Sequence, residues 1–288
     1  MRIAYVTDEP MPSRDTSTIQ VVQTLSALAR AGAEVELFLP VPPRADRDPE
    51  ALRAKLQAHY HATCGFMLHP LPGTLSEVRV VDKPAQAVLA ALDSTDARFD
   101  LLYSRIVLPL LPAMARKRPM LFETYRPLIR QFPAARWPLR LASKLPHFLG
   151  IVTHSEYTRQ SFVEEGLPPE KLRTIYNGYD DGVFAEQLSQ SEARAALDLP
   201  DRPTLVYAGR ISPNKQIPLL LDAFARLGDR AQLVLAGAVD TEEAEPIRAR
   251  AAAMPNVILP GYVTGARLAR TLMAADVLTI PPSAKPLQ

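Results

Sequence analysis

Short apolar runs alternate with amphipathic helical stretches along nearly all of the 288 residues, and the alternation starts twice. In the first half, strand patterns fall at 2–7, 35–39, 101–104, 120–123 and 151–154. A helical pattern at 18–31 ends at Gly32, where a helix C-cap is expected. In the second half, strands read at 204–208, 232–236, 257–259 and 277–280, with helices at 217–227, 242–252 and 266–275. Strand-helix alternation forces parallel pairing with helices over both faces of the sheet. The polar stretch 177–184 carries two glycines and reads as a linker. The chain is therefore read as α/β, with two doubly wound Rossmann-like domains at 1–180 and 181–288.

The second domain holds only four strands. In the usual 3-2-1-4 order its last strand is an unpaired edge, which is a liability. The expectation is an incomplete domain: a fragment, or a chain that leans on something outside itself.

Composition narrows the function. Charged residues are 22% and net charge is only +2, so no strong nucleic-acid partner is expected. The single cysteine, Cys64, allows no disulfide within the chain and suits a reducing compartment. Asp8 interrupts any signal-peptide run, and no stretch of 18 uncharged apolar residues occurs. The expected location is the cytoplasm, with a peripheral position at the membrane's inner face as the variant. Glycine spacing excludes G-x-G-x-x-G, the Walker loop and G-x-S-x-G.

The sharpest motif runs from Tyr207 through Gly209, Arg210 and Ser212 to Lys215, between a strand and a helix. Ligands of open α/β sheets bind at carboxyl ends of strands, where Arg210 falls. Gly209 lets backbone approach a ligand, and Lys215 falls near a helix start, where anions are favoured. A planar guanidinium with an ammonium point charge suits a diphosphate.

This segment, continuing to Phe224, resembles the G-R-x4-K stretch of retaining GT-B glycosyltransferases of glycosyltransferase family four. Asn177, Gly178, Tyr179 and Asp180 resemble the family's N-G-[VY]-D. Residues 233–237 resemble its glycine-ended strand. Gly261, Tyr262 and Val263 resemble the loop that lines the donor base. Ala275, Asp276 and Val277 with Pro282 and Ser283 resemble its A-D-V and P-S signature, and 18–35 resembles its first helix. The resemblance implies two domains facing a cleft and transfer of a sugar, with retention, from a nucleotide diphosphate to a glycan, lipid-linked or small acceptor. It implies a donor site of Gly209, Arg210, Lys215, Tyr262 and Val263. Within it Arg210 and Lys215 are catalytic, neutralising the leaving diphosphate without a metal or other cofactor. It implies an acceptor site near Ser17, Thr18, Gln20, Glu123, Tyr125 and Arg126. Gln20 and Ala33 stand where the family has histidines. Tyr125 and Arg126 replace the His and Asp of its E-x-H-D, and Arg126 suits an anionic acceptor. The family's two glutamates, about eight positions apart beyond P-S, are not in the sequence, so an incomplete donor site is expected. A non-catalytic nucleotide-sugar binder and a sugar-nucleotide epimerase of the same architecture are the rival readings.

Two further features stand out. Block 101–150 holds nine Lys or Arg and one acid, a net +8 that leaves −6 for the rest. Its part 130–149 mixes Arg136, Arg140 and Lys144 with Phe132, Trp137 and Leu141, a pattern fit for an anionic membrane surface. His59, His61, Cys64 and His69 bear zinc-ligand side chains, but their spacing fits no common zinc site and ordinary packing is expected. His154, at a strand end, is expected near the cleft.

Overall fold

The computed structural model describes residues 1–13, 15–41, 47–72, 94–179 and 181–281. Asp180, Pro282 and Ser283 of the motifs above lie outside the described residues. The chain divides into two compact units, Met1–Asn177 and Gly178–Gln288.

The first unit is a seven-stranded parallel sheet. Its strands are β1 (Arg2–Val6), β2 (Glu34–Val41), β3 (Met67–Pro72), β4 (Leu101–Ser104), β5 (Met120–Thr124), β6 (Phe148–Thr153) and β7 (Leu172–Thr174). Their spatial order is β3-β2-β1-β4-β5-β6-β7. The order reverses between β1 and β4, so the connections leaving those two strands open a crevice at their carboxyl ends. Successive strand side chains face opposite ways. Ile3 and Tyr5 thus pack in one core with Val21, Val22 and Leu25 of α1 (Thr16–Arg30) and Leu52 and Leu56 of α2 (Pro49–Tyr60). Ala4 and Val6 pack in another. There they meet α3 (Leu110–Ala115), Ile129 of α4 (Leu128–Gln131), Leu139 and Ala142 of α5 (Arg136–Ser143) and Phe162 of α6 (Glu156–Glu164). Helix α1 ends one residue before the expected place. Ala31 is its C-cap, and Gly32 follows in the left-handed region (φ +89°).

The second unit is a four-stranded parallel sheet of β8 (Thr204–Ala208), β9 (Gln232–Ala236), β10 (Val257–Gly261) and β11 (Val277–Leu278), ordered β10-β9-β8-β11. Three of its helices are α7 (Gln190–Ala195), α8 (Ile217–Ala225) and α9 (Glu245–Ala252), and the fourth is α10 (Gly265–Met273). One face is covered by α8 and α9 through Ile217, Leu221, Phe224, Ile247 and Ala251. Buried Arg194 of α7 donates to Asp201, Asp276 and the Ala274 carbonyl. Asp276 also accepts from the Thr204 amide at 2.6 Å, so the acid of the A-D-V motif anchors the start of β8.

The stretch expected as one helix at 242–252 is a 3-10 turn (Glu242–Ala244) running into α9. Block 130–149 is likewise no single helix. It holds the end of α4, a 3-10 turn that starts at Pro133, and α5, and β6 begins at Phe148.

Candidate functional site

Four strands of the first unit end together around one carboxylate. Glu123, on β5, is 2% exposed. Its Oε1 faces His154 Nε2 at 2.9 Å and Arg105 Nε at 3.5 Å, and its Oε2 accepts from the Tyr5 hydroxyl at 3.1 Å. Tyr5 sits on β1, Tyr103 on β4, and Arg105 and His154 immediately after β4 and β6. A buried carboxylate is tolerated here because both of its oxygens meet donors.

The charges follow from this geometry. Burial pushes the Glu123 carboxyl up, but the His154 hydrogen bond, the Arg105 charge and the Tyr103 hydroxyl hold it below the ordinary carboxylate value. His154 is raised by that same bond, against the effect of its burial, and further by the Ile175 carbonyl facing Nδ1 at 3.0 Å. An imidazole between a carboxylate and a carbonyl meets acceptors at both nitrogens, so the doubly protonated ring satisfies both. Burial and the Glu123 charge raise the Tyr5 and Tyr103 phenols, which stay neutral donors.

Arg105 extends the cluster to α1. Its Nη1 donates to the Ser17 carbonyl at 2.9 Å, while its buried Nη2 has no hydrogen-bond partner among the described residues. Its guanidinium lies 5.8 Å from the Tyr125 ring centroid, and that of Arg126 lies 4.8 Å from the same centroid. Ser17, Glu123, Tyr125 and Arg126 of the expected acceptor set are thereby brought together. Thr18 is buried, and its hydroxyl is taken up by the Asp15 carbonyl (2.8 Å), Ser13 and Tyr60, so it builds the loop after β1 rather than facing a ligand. Gln20 lies half-buried in α1. Sequence reasoning named Arg105 only as one charge of a basic block. Its place directly behind a strand was the signal for more.

The histidines near Cys64 have separate tasks. His59 bonds the Ser13 carbonyl at 3.1 Å, and His69 bonds Glu36 at 2.7 Å while stacking on Phe38. Cys64 is buried, and burial raises its thiol. Among the described residues no three His, Cys, Asp or Glu gather in a way that could hold a metal ion.

In the second unit the strand-end ladder continues past the strands through three glycines. The Gly209 amide donates to the Ala236 carbonyl (2.9 Å), and the Gly237 amide donates to the Gly261 carbonyl (2.9 Å). A Cβ on Gly237 would fall 1.8 Å from the Gly209 carbonyl oxygen, so this approach requires glycine. The Tyr207 hydroxyl donates to the Arg210 carbonyl (2.9 Å) and folds the loop back. Arg210 emerges exposed from this platform. Lys215, also exposed, ends the turn Pro213–Lys215 just before α8. Gln216 holds the left-handed conformation (φ +53°) at the junction. Tyr262 is partly exposed on the neighbouring loop, and Val263 is buried.

A seven-strand sheet in switched order, a second parallel sheet with a glycine-lined strand-end platform, and Arg-bearing carboxyl ends define the GT-B glycosyltransferase class. The family model described as Glycosyltransferase Family 4 matches residues 18–183, and that described as glycosyl transferases group 1 matches 202–287. The chain belongs to glycosyltransferase family 4.

Among curated relatives, the lipopolysaccharide 1,2-N-acetylglucosaminetransferase of Salmonella typhimurium is 37% identical over 78 residues, 27% of this chain and 20% of that protein. The match thus spans one fifth of the relative's length. Among solved structures, sucrose-phosphate synthase from Thermosynechococcus elongatus superposes with a TM-score of 0.72 at 17% identity, covering 100% of this chain and 76% of that one. HepE of Anabaena in complex with UDP superposes with a TM-score of 0.70 at 17% identity, covering 100% and 75%.

Proposed function

We propose that this chain transfers a glycosyl group, with retention, from a nucleoside diphosphate sugar to a hydroxyl acceptor. The bond from the anomeric carbon to the diphosphate breaks, a bond to the acceptor oxygen forms, and the acceptor proton leaves. The observation that carries this reading is the Gly209–Gly237 strand-end contact, which presents Arg210 at the carboxyl end of β8 in a family 4 chain. Arg210 and Lys215 neutralise the departing diphosphate, a task in which one well-placed donor is worth about 3 kcal/mol. With that positive charge supplied by side chains, no metal is needed. Gly209 admits the phosphates, and Tyr262 and Val263 line the base. HepE of Anabaena holding UDP supports a nucleotide site on this fold. The first unit takes the acceptor at Ser17, Glu123, Tyr125 and Arg126, with Thr18 and Gln20 shaping the adjoining loop and helix. The acceptor is a glycan or a lipid-linked or small molecule. The basic, aromatic face of α5 rests on an anionic membrane at the cytoplasmic side.

Calorimetry against UDP, GDP, ADP and their sugars tests the donor site. One nucleotide should bind, and Arg210→Ala should weaken it about tenfold or more. No binding by any nucleotide, or an unmoved affinity in the variant, defeats the reading. Nucleotide release that depends on an added acceptor identifies a transferase. Release without one identifies an epimerase or hydrolase, and binding without release a non-catalytic binder.

A further inference from the structure

The strand ends of the first unit carry one arginine, Arg126, that no carboxylate of the described residues meets. Three arginines of the basic block have a carboxylate: Arg105 has Glu123, Arg130 has Glu164 and Arg136 has Glu165. Arg126 has none among the described residues. Its guanidinium lies over the Tyr125 ring and bonds the Tyr125 hydroxyl, and it remains exposed. Arg105 also lacks full compensation. Its side chain is 8% exposed, Glu123 is shared with His154, and Nη2 meets no acceptor among the described residues. Glu9 adds a second negative charge acting on Arg105 through space.

The loop that carries Arg126 is fixed. The Arg126 amide donates to Thr124 Oγ1 at 3.1 Å, and Thr158 Oγ1 donates to the Tyr125 carbonyl at 3.1 Å. A guanidinium already stacked on a ring loses little freedom when it closes on a ligand. Its planar fork matches two oxygens of one anion.

We propose that Arg126 and Tyr125, backed by buried Arg105, receive an oxyanion carried by the acceptor, either a phosphoryl or a carboxylate group. Arg126 makes the contact. Tyr125 orients it, and Arg105 is a positioning residue that raises the local potential from below. This rests on the first unit being the acceptor unit.

The test is titration of the full chain with inorganic phosphate and, separately, acetate at low ionic strength, followed by calorimetry and by NMR shifts of the arginine side chains. Because Arg210 and Lys215 also suit phosphate, the titrations are repeated on Arg210→Gln/Lys215→Gln. In that background phosphate or acetate should still bind, and adding Arg126→Gln should weaken it about tenfold or more. The preferred anion tells phosphoryl from carboxylate. Arg126 is exposed, so the variant should fold, and far-UV circular dichroism checks this. Binding that vanishes with Arg210→Gln/Lys215→Gln alone, or that ignores Arg126→Gln, overturns the proposal. UDP binding on the same samples separates the two readings. UDP without Arg126-dependent anion binding leaves the donor site standing and removes this one, and the reverse result removes the donor site.

Discussion

At the scale of single residues, the Glu123–His154 pair is the most exacting feature of the first unit. Each partner's charge is stabilised by the other, so folding stability must depend on pH. Glu123 titrates below its usual 4.5, so its contribution is present above about pH 4.5 and is lost as pH falls through the lowered value. His154 titrates above its usual 6.5. Its contribution is full below that value and fades as pH rises through the raised one. Both are in force together between about pH 5 and 6. His154→Gln should therefore cost about 2 kcal/mol there, the worth of hydrogen bonds to a charged group, and progressively less as pH rises through the raised His154 value. Urea denaturation of wild type and variant across this range is the measurement. A difference that stays constant, or grows with alkalinity, means the pair is not ionic. The same residues show why composition could not reveal the cluster. Arg105, Glu123 and His154 lie far apart in sequence and meet only because β4, β5 and β6 are neighbours in register.

At the scale of elements, the donor platform depends on two strand ends, those of β8 and β9, approaching more closely than side chains permit. Gly237→Ala would place a methyl on the Gly209 carbonyl oxygen, and backbone on both sides leaves little to yield. The substitution should destabilise the second unit by about 2–3 kcal/mol. It should also weaken nucleotide binding while leaving the His154-dependent stability of the first unit unchanged. Chemical denaturation with nucleotide titration checks this, and a variant as stable and as tightly binding as wild type would show the approach to be unimportant. The alternation behind this platform was legible in the sequence, because fully buried parallel strands write continuous apolar runs. β8 and β9 fall where the pattern put them, at 204–208 and 232–236. β3 left only a weak signal, as a strand following the helix end near His59, since a histidine and two prolines interrupt Met67–Pro72. β7 was not legible, being three residues long with two of them polar. Gly209 and Arg210 could be singled out from local context. The role of Gly237 could not, because its reason is an oxygen on another strand.

For the whole molecule, net charge hides a strong asymmetry, and the folded chain moderates it. The +8 of residues 101–150 is offset where Arg130 meets Glu164 and Arg136 meets Glu165, acids supplied by the end of α6 and the residue after it. Arg140 donates to the Glu165 carbonyl at 3.0 Å and keeps its charge, as does exposed Lys144. Beside them Trp137 is 69% exposed, and Leu141, one helical turn on, is exposed too. Arg136, Trp137, Arg140, Leu141 and Lys144 line one open groove with no carboxylate in its wall. No helix among the described residues is long and apolar enough to cross a membrane. Contact with a bilayer would therefore be peripheral and would need both an apolar anchor and positive charge, since each basic residue near an anionic surface supplies only about 1 kcal/mol. The chain should cosediment with vesicles containing phosphatidylserine more than with neutral ones. Raising salt should weaken the association, because screening shortens the reach of the charges. Trp137→Ala should reduce binding to anionic vesicles by removing the anchor, and Lys144→Glu by reversing a charge. Both positions are exposed, so thermal stability should stay near wild type. Equal and negligible sedimentation with both vesicle types would make this face ordinary solvated surface, and the acceptor would then have to reach the first unit from solution.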